Sequence, residues 1–183
     1  MIRKMIYSIF LMIHTAAISL GGMQDRLTLQ KYHTPDEVSA LLQSWASEYP
    51  RLVKTTVIGR SAGRSELIVL QIAARPEGSV NPDARPAVFI SANIEGVHLV
   101  GTEAALLIIE KLLTQYGSNP KITSLLDNRI VYVAPLLNPD AAKRYFTSPA
   151  FELGTNSTPR DDDADGRIDE DGPEDLNGDG FIT

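Results

Sequence analysis

The run AVFISANIEGVHLVGTEAALLIIEKLL, residues 87–113, decides the fold class. Its first six residues form a short, continuously apolar segment, the pattern of a strand in the buried middle of a sheet. From Thr102 onward the chain reads as a strongly apolar helix, and Gly117 stands just past its end. The width of its apolar face suits packing on a sheet rather than a surface turned to water. The next segment, RIVYVAPLLNPD, residues 129–140, is another buried strand, stopped by Pro139. Strand, helix and strand at this spacing imply a right-handed parallel crossover.

Upstream, TPDEVSALLQSWASEYP, residues 34–50, carries the clearest helix signal. Thr34 caps it, Pro35 takes the first turn, and Glu37 completes a capping box. Val38, Leu41, Leu42, Trp45 and Tyr49 recur at helical spacing, and Pro50 closes the segment. The β-rich runs LVKTTVIG and ELIVLQIA flank RSAGRS as a hairpin, and a proline-rich loop, residues 75–86, follows. The expected class is α/β: a mixed, mostly parallel sheet flanked by helices, with an antiparallel hairpin at one edge.

With 183 residues and 43% hydrophobic content, one domain with a real core is expected. There is no cysteine, so disulfides, thiolate metal sites and thiol nucleophiles are excluded. Between residues 160 and 183 lie ten acidic and two basic residues. That segment carries −8 and leaves +2 for the remainder of a chain whose net charge is −6. The acidity is local, and no basic stripe of the kind nucleic acid requires is present. Residues 1–21 read as a signal peptide: Arg3 and Lys4, an apolar run from Met5 to Ile18, then small residues for cleavage. The run is too short for a stable membrane span, so a secreted or periplasmic protein is expected.

Glu95 and His98, three residues apart, lie where the first buried strand gives way to the helix. In open α/β sheets, ligands gather outside the carboxyl ends of the strands. Asn138 and Asp140 follow the second strand, so both loops open on the same side. Glutamate and histidine both bind zinc, and a catalytic zinc takes three protein ligands and leaves one position for water. The other histidines, His14 and His33, lie in the signal segment and before the first helix, away from this loop. The plainer alternative has His98 bonded to a loop carbonyl with no metal.

Taken together, residues 32–73 with the helix and hairpin, RPAVFISANIEGVHLVGTEAALLIIEKLL and NRIVYVAPLLNPDA resemble the first half of a zinc carboxypeptidase of the carboxypeptidase A type. The resemblance covers roughly residues 32–143. It implies a peptidase that removes C-terminal residues from peptides, with Glu95 and His98 as zinc ligands. The family's loop reads His-x-x-Glu, so here the two donors are exchanged around a retained Gly96. Ala141 replaces the glycine usual after Asn-Pro-Asp. The family's third zinc ligand and general-base glutamate belong to the second half of its fold. Arg160 is the candidate for holding the substrate carboxylate.

The segment DDDADGRIDEDGPEDLNGDGFIT, residues 161–183, carries a different signal. Asp161, Asp163, Asp165 and Gly166 open a calcium loop, with Asp169 at its ninth position and Ile168 expected to point inward. Position twelve is Gly172 rather than glutamate, with Asp171 beside it as a substitute. Asp175, Asn177, Asp179, Gly180 and Ile182 begin the pattern again. The expected domains are therefore residues 32–159, the carboxypeptidase-like half, and residues 160–183, a calcium-loop insertion that ends mid-pattern, as in a fragment. The rival reading is a non-catalytic, calcium-stabilised binding module.

Overall fold

A proline at the first helical turn and a threonine before it start the first element. The structure is a computed structural model; it describes residue 27 and residues 30–75, 84–148, 150–151, 154–161, 163–169 and 174–182. The signal segment, residues 76–83 of the proline-rich loop and Asp171 lie outside the described residues. Helix α1, Pro35–Glu48, begins at Thr34, whose hydroxyl accepts from the Glu37 amide while the Glu37 carboxylate accepts from the Thr34 amide. Both halves of the capping box are thus formed. Val38, Leu42 and Trp45, one helical face, are buried.

Strands β1, Val53–Arg60, and β2, Glu66–Ile72, form the expected hairpin, with a bulge between Val57 and Gly59. Then come β3, Ala87–Ser91, helix α2, Leu99–Gln115, helix α3, Pro120–Asn128, and β4, Ile130–Ala134. The short helix α4, Pro139–Tyr145, and the two-residue strands β5, Ala150–Phe151, and β6, Phe181–Ile182, complete the order. The main sheet runs β1-β2-β4-β3.

The α/β class with a mixed sheet flanked by helices is what the structure has, but two finer expectations are corrected. Of the three pairings in this sheet, only β3–β4 is parallel, so among the described strands the sheet is not mostly parallel. The hairpin joins the sheet through β2 against β4, and that contact is antiparallel. Nor is β3 the buried middle strand: among the described strands it lies at the edge, with Val88 and Phe89 half exposed or more, and β4 is interior. Both strands are apolar, and composition cannot say which has two hydrogen-bonded neighbours.

The register sorts the core. Leu70 and Ile72 of β2 stand opposite Val133 and Val131 of β4 and share a sheet face with Ile90 of β3. Against that face pack Leu42 and Trp45 of α1, Leu106, Ile109 and Leu113 of α2, and Leu126 of α3, all buried in one cluster. Among the described residues no helix is long and apolar enough to cross a membrane.

The Lys31 ammonium, 2.6 Å from Glu37, together with the Thr34 amide, holds the Glu37 carboxyl at about 2, well below its usual 4.5. A carboxyl depressed on folding adds stability that is complete above about pH 4.5 and is lost as pH falls towards 2. The urea midpoint of the native chain should therefore drop more steeply across that window than that of Glu37→Gln. Equal slopes would remove the cap from the acid response.

Candidate functional site

The ladder between β3 and β4 does not stop at the strand ends. Ala92 donates its amide to Ala134 at 2.9 Å, and Leu137 donates to Ala92 at 3.1 Å. The exits of the two strands therefore run side by side and meet at one end of the sheet. Thr102, in the first turn of α2, donates its hydroxyl to the Pro135 carbonyl at 2.9 Å, so the helix start is fixed to the same exit.

Between β3 and α2 the chain makes one tight turn, closed by the His98 amide donating to the Glu95 carbonyl at 3.0 Å. His98 is the N-cap residue of α2 but makes no side-chain cap. Its ring faces Glu95 instead, with Nε2 3.0 Å from Glu95 Oε2, and both side chains are about two-thirds exposed. Two donors sharing a tetrahedral zinc with bonds of 2.0–2.2 Å stand about 3.3 Å apart. The pair therefore fits as two zinc donors. No third His, Asp or Glu converges on it among the described residues. Two surface hollows, one beside Tyr32, Val100 and Glu103 and one beside Arg51, Arg75 and Tyr116, do not include the pair. The donors stand on open ground.

What holds this loop is the start of α4. Asn138 caps that helix by accepting the Ala141 amide, and donates its carboxamide to the carbonyls of Ile94 and Gly154, both at 3.3 Å. Asp140 is buried and turns the other way. It accepts from the Ser61 hydroxyl at 2.6 Å, the Gly63 amide at 2.9 Å and the Ser157 amide at 3.4 Å, which docks the hairpin tip on α4. Gly96 abuts Ala141 so closely that a Cβ on Gly96 would lie 2.0 Å from the Ala141 Cβ. Only a residue without a side chain fits there.

His33 is paired elsewhere than with Glu95 and His98. It is buried with Glu103 of α2, donating its amide to the carboxylate at 2.7 Å while its Nδ1 lies 2.8 Å from the second oxygen. Seven residues on, Glu110 accepts from the Leu27 amide. These carboxylates on the buried face of α2 tie down the chain ahead of α1. Their positions on an apolar face demand partners, which is the one signal the sequence held for them.

The acidic segment forms two loops with the same wiring. The Gly166 amide donates to Asp161 Oδ2 and the Gly180 amide to Asp175 Oδ2, each at 2.9 Å. Likewise Asp165 donates to Asp163 Oδ1, and Asp179 to Asn177 Oδ1, each at 3.1 Å. Gly166 and Gly180 both take positive φ, as the bend requires. The Gly180 amide, joined by that of Gly178, lowers the Asp175 carboxyl below its ordinary range. Asp161, Asp163 and Asp165 bring ligand oxygens within 4.8 Å of one another. Ile168, expected to point inward, is instead exposed. Arg160 and Asp169 close the first loop: the Asp169 amide donates to the Arg160 carbonyl and the Arg160 amide to the Asp169 carboxylate. The parallel pair β5–β6 ties the far end of the segment back to residues just after α4.

A sequence profile of the zinc carboxypeptidase family (peptidase M14) matches residues 38–167, and the chain belongs to that family. It is 32% identical to human carboxypeptidase D over 118 residues, 64% of this chain and 8% of that protein. It is 27% identical to a zinc carboxypeptidase of Saccharothrix mutabilis subsp. capreolus over 120 residues, 66% of this chain and 27% of that protein. The chain thus spans less than a third of the length of these relatives. Among solved structures, carboxypeptidase A from Helicoverpa armigera superposes with a TM-score of 0.62 at 25% identity, covering 73% of this chain and 31% of that one. Thrombin activatable fibrinolysis inhibitor shares the fold with a TM-score of 0.64 at 20% identity, over 73% of this chain and 32% of that one. Relatives named carboxypeptidase M and A2 match as well, so the A-type likeness is one side of a broader family likeness.

Gly96→Ala should destabilise the chain by about 1–3 kcal/mol through overpacking. Adding Ala141→Gly should recover part of that loss and no more, because the Ala141 backbone would still lie 2.9–3.0 Å from the new methyl. Thermal melts of the two single variants and the double variant measure the coupling.

Proposed function

We propose that this protein serves as a zinc-dependent metallocarboxypeptidase acting on the C-termini of peptides, with Glu95 and His98 as two of its zinc ligands. The observation that carries this is the 3.0 Å approach of Glu95 Oε2 to His98 Nε2 at the exit of β3, in a chain of the zinc carboxypeptidase family. Zinc held there would polarise a scissile carbonyl and activate water for its hydrolysis. The chain's own part is to present one carboxylate and one imidazole side by side, on a turn held by α4. Arg160 is proposed to hold the substrate's terminal carboxylate, a role for which its cation and its place after α4 are the support. No described residue is assigned as third ligand or general base. We further propose export directed by residues 1–21, to the periplasm or the exterior.

Zinc retention after equilibrium dialysis tests the ligand assignment. The native chain should bind zinc, and Glu95→Ala or His98→Ala should each weaken binding at least tenfold. Binding that survived both substitutions would show these ligands to be wrong. A chain that binds no zinc but keeps its calcium response would be the non-catalytic binding module.

Calcium is the second proposed ion, at Asp161, Asp163, Asp165 and Asp169, and at Asp175, Asn177 and Asp179. Its support is the repeated amide-to-carboxylate wiring of the two loops. Calcium at a hundred times its dissociation constant should stabilise the chain by about 2.7 kcal/mol for each loop that binds it. Replacing Asp161 and Asp175 together by alanine should abolish that gain in a calcium-dependent melt; an unchanged gain would place calcium elsewhere.

A further inference from the structure

Asn93, the second residue after β3, combines two features that folded chains seldom keep together. Its backbone lies at φ +54°, in the left-handed region that residues other than glycine rarely occupy. Its side chain is buried, and its Oδ1 has no hydrogen-bond partner. Buried polar atoms are nearly always paired, and strained residues collect at functional sites, where the surrounding structure holds them in place.

The compensating contacts come from the other end of the same carboxamide. Asn93 Nδ2 donates to the Gly96 carbonyl at 3.1 Å and, more weakly, to the Glu95 carbonyl at 3.4 Å. Asn138 Nδ2 reaches the carbonyl just before these, that of Ile94, at 3.3 Å. Three successive carbonyls, those of Ile94, Glu95 and Gly96, are therefore held by two asparagine side chains from two different elements. The Glu95 backbone cannot rotate without breaking at least one of these bonds. Neither asparagine touches the donor atoms themselves.

We propose that Asn93 and Asn138 are positioning residues that fix the Glu95–His98 turn in its ligating geometry; this rests on the reading of that pair as zinc ligands. The strain at Asn93 is then part of holding the turn, and the contact from Asn138 makes the start of α4 a support for the metal pair. Partners that orient metal ligands without touching the metal typically change affinity by about 10- to 100-fold when removed.

Three variants of the full chain test this, with zinc as the probe. Asn93→Gly accepts the backbone angle and removes the carboxamide. Asn93→Asp keeps an acceptor of the same shape and removes both donated bonds. Asn138→Asp keeps the cap on the Ala141 amide and removes the bonds to Ile94 and Gly154. Zinc affinity should fall about 10- to 100-fold in all three, while the melting temperature of the metal-free chain shifts by no more than a few degrees. A purely structural role would lower the melting temperature and leave zinc affinity within twofold of the native value, and that result overturns the proposal. Should Asn138→Asp fail to fold, the two Asn93 variants decide. If the native chain itself takes up no zinc, the ligand reading has failed and the clamp is judged by amide hydrogen exchange at residues 95–98. Exchange at least tenfold faster in Asn93→Gly then supports the clamp, and equal rates reject it.

Discussion

Parallel pairing of β3 with β4, in register from Ala87 opposite Ile130 to Ser91 opposite Ala134, is the constraint from which the site follows. Two parallel strands finish at the same end, so the segments leaving them must share one small volume. That volume is filled closely. Gly96 lies against Ala141, Thr102 bonds to Pro135, and Asn138 reaches across to Ile94. The start of α4 then acts as a common anchor: Asn138 holds the turn that carries Glu95, and Asp140 holds the tip of the β1–β2 hairpin. A buried carboxylate with three donors is stable where a partly paired one would be costly. The hairpin, the turn and the chain leading to the acidic loops are therefore linked through the side chains of Asn138 and Asp140 and through Ala141.

Local chemistry made part of this legible in advance. The Thr34–Glu37 capping box is a signal only three residues long, and its geometry is complete in the structure. The hairpin was visible because two β-rich runs flank a short polar segment. The shared side of the loops after β3 and β4 followed from the crossover itself, which makes the two strands parallel neighbours. What escaped depends on distance. Helix α3 is nine residues long with a capping Asn119, and its polar character concealed it. Helix α4 was hidden behind a proline that reads as a strand stop and also serves as a helix start. The pairing of His33 with Glu103 joins residues 70 positions apart. The edge position of β3 is set by which strand β2 pairs with, and no property of β3 itself encodes that.

The acidic loops show how a repeated pattern becomes repeated geometry. Asp161 with Gly166 and Asp175 with Gly180 stand at the same spacing, and each carboxylate accepts the amide of its glycine. The alternation of acidic and other residues brings the carboxylates inward because each bends the backbone back on itself. With the family profile running to residue 167, the first of these loops begins within the matched region. The β5–β6 pair closes the excursion at its base, so the segment is held at both ends and is not a free tail.

On the proposed zinc reading, the order of Glu95 before His98 around Gly96 sharpens the role of the turn. One carboxylate and one imidazole would present a zinc ion with the same donor types whichever comes first. Because the Glu95 carbonyl accepts from the His98 amide, the two side chains leave the ends of a single turn and converge in either order. The order does alter which donor is the flexible one. A glutamate has one more rotatable bond than a histidine and loses more freedom when ordered. In this chain the longer donor stands on the strand side, inside the part of the loop where three carbonyls are held in succession. Its tip is two-thirds exposed and, among the described residues, meets only the equally exposed His98 ring, so order is imposed chiefly at its root. In the proposed clamp the held backbone would do this at Glu95, while the shorter, stiffer imidazole sits at the start of α2, where the Thr102–Pro135 bond fixes the helix.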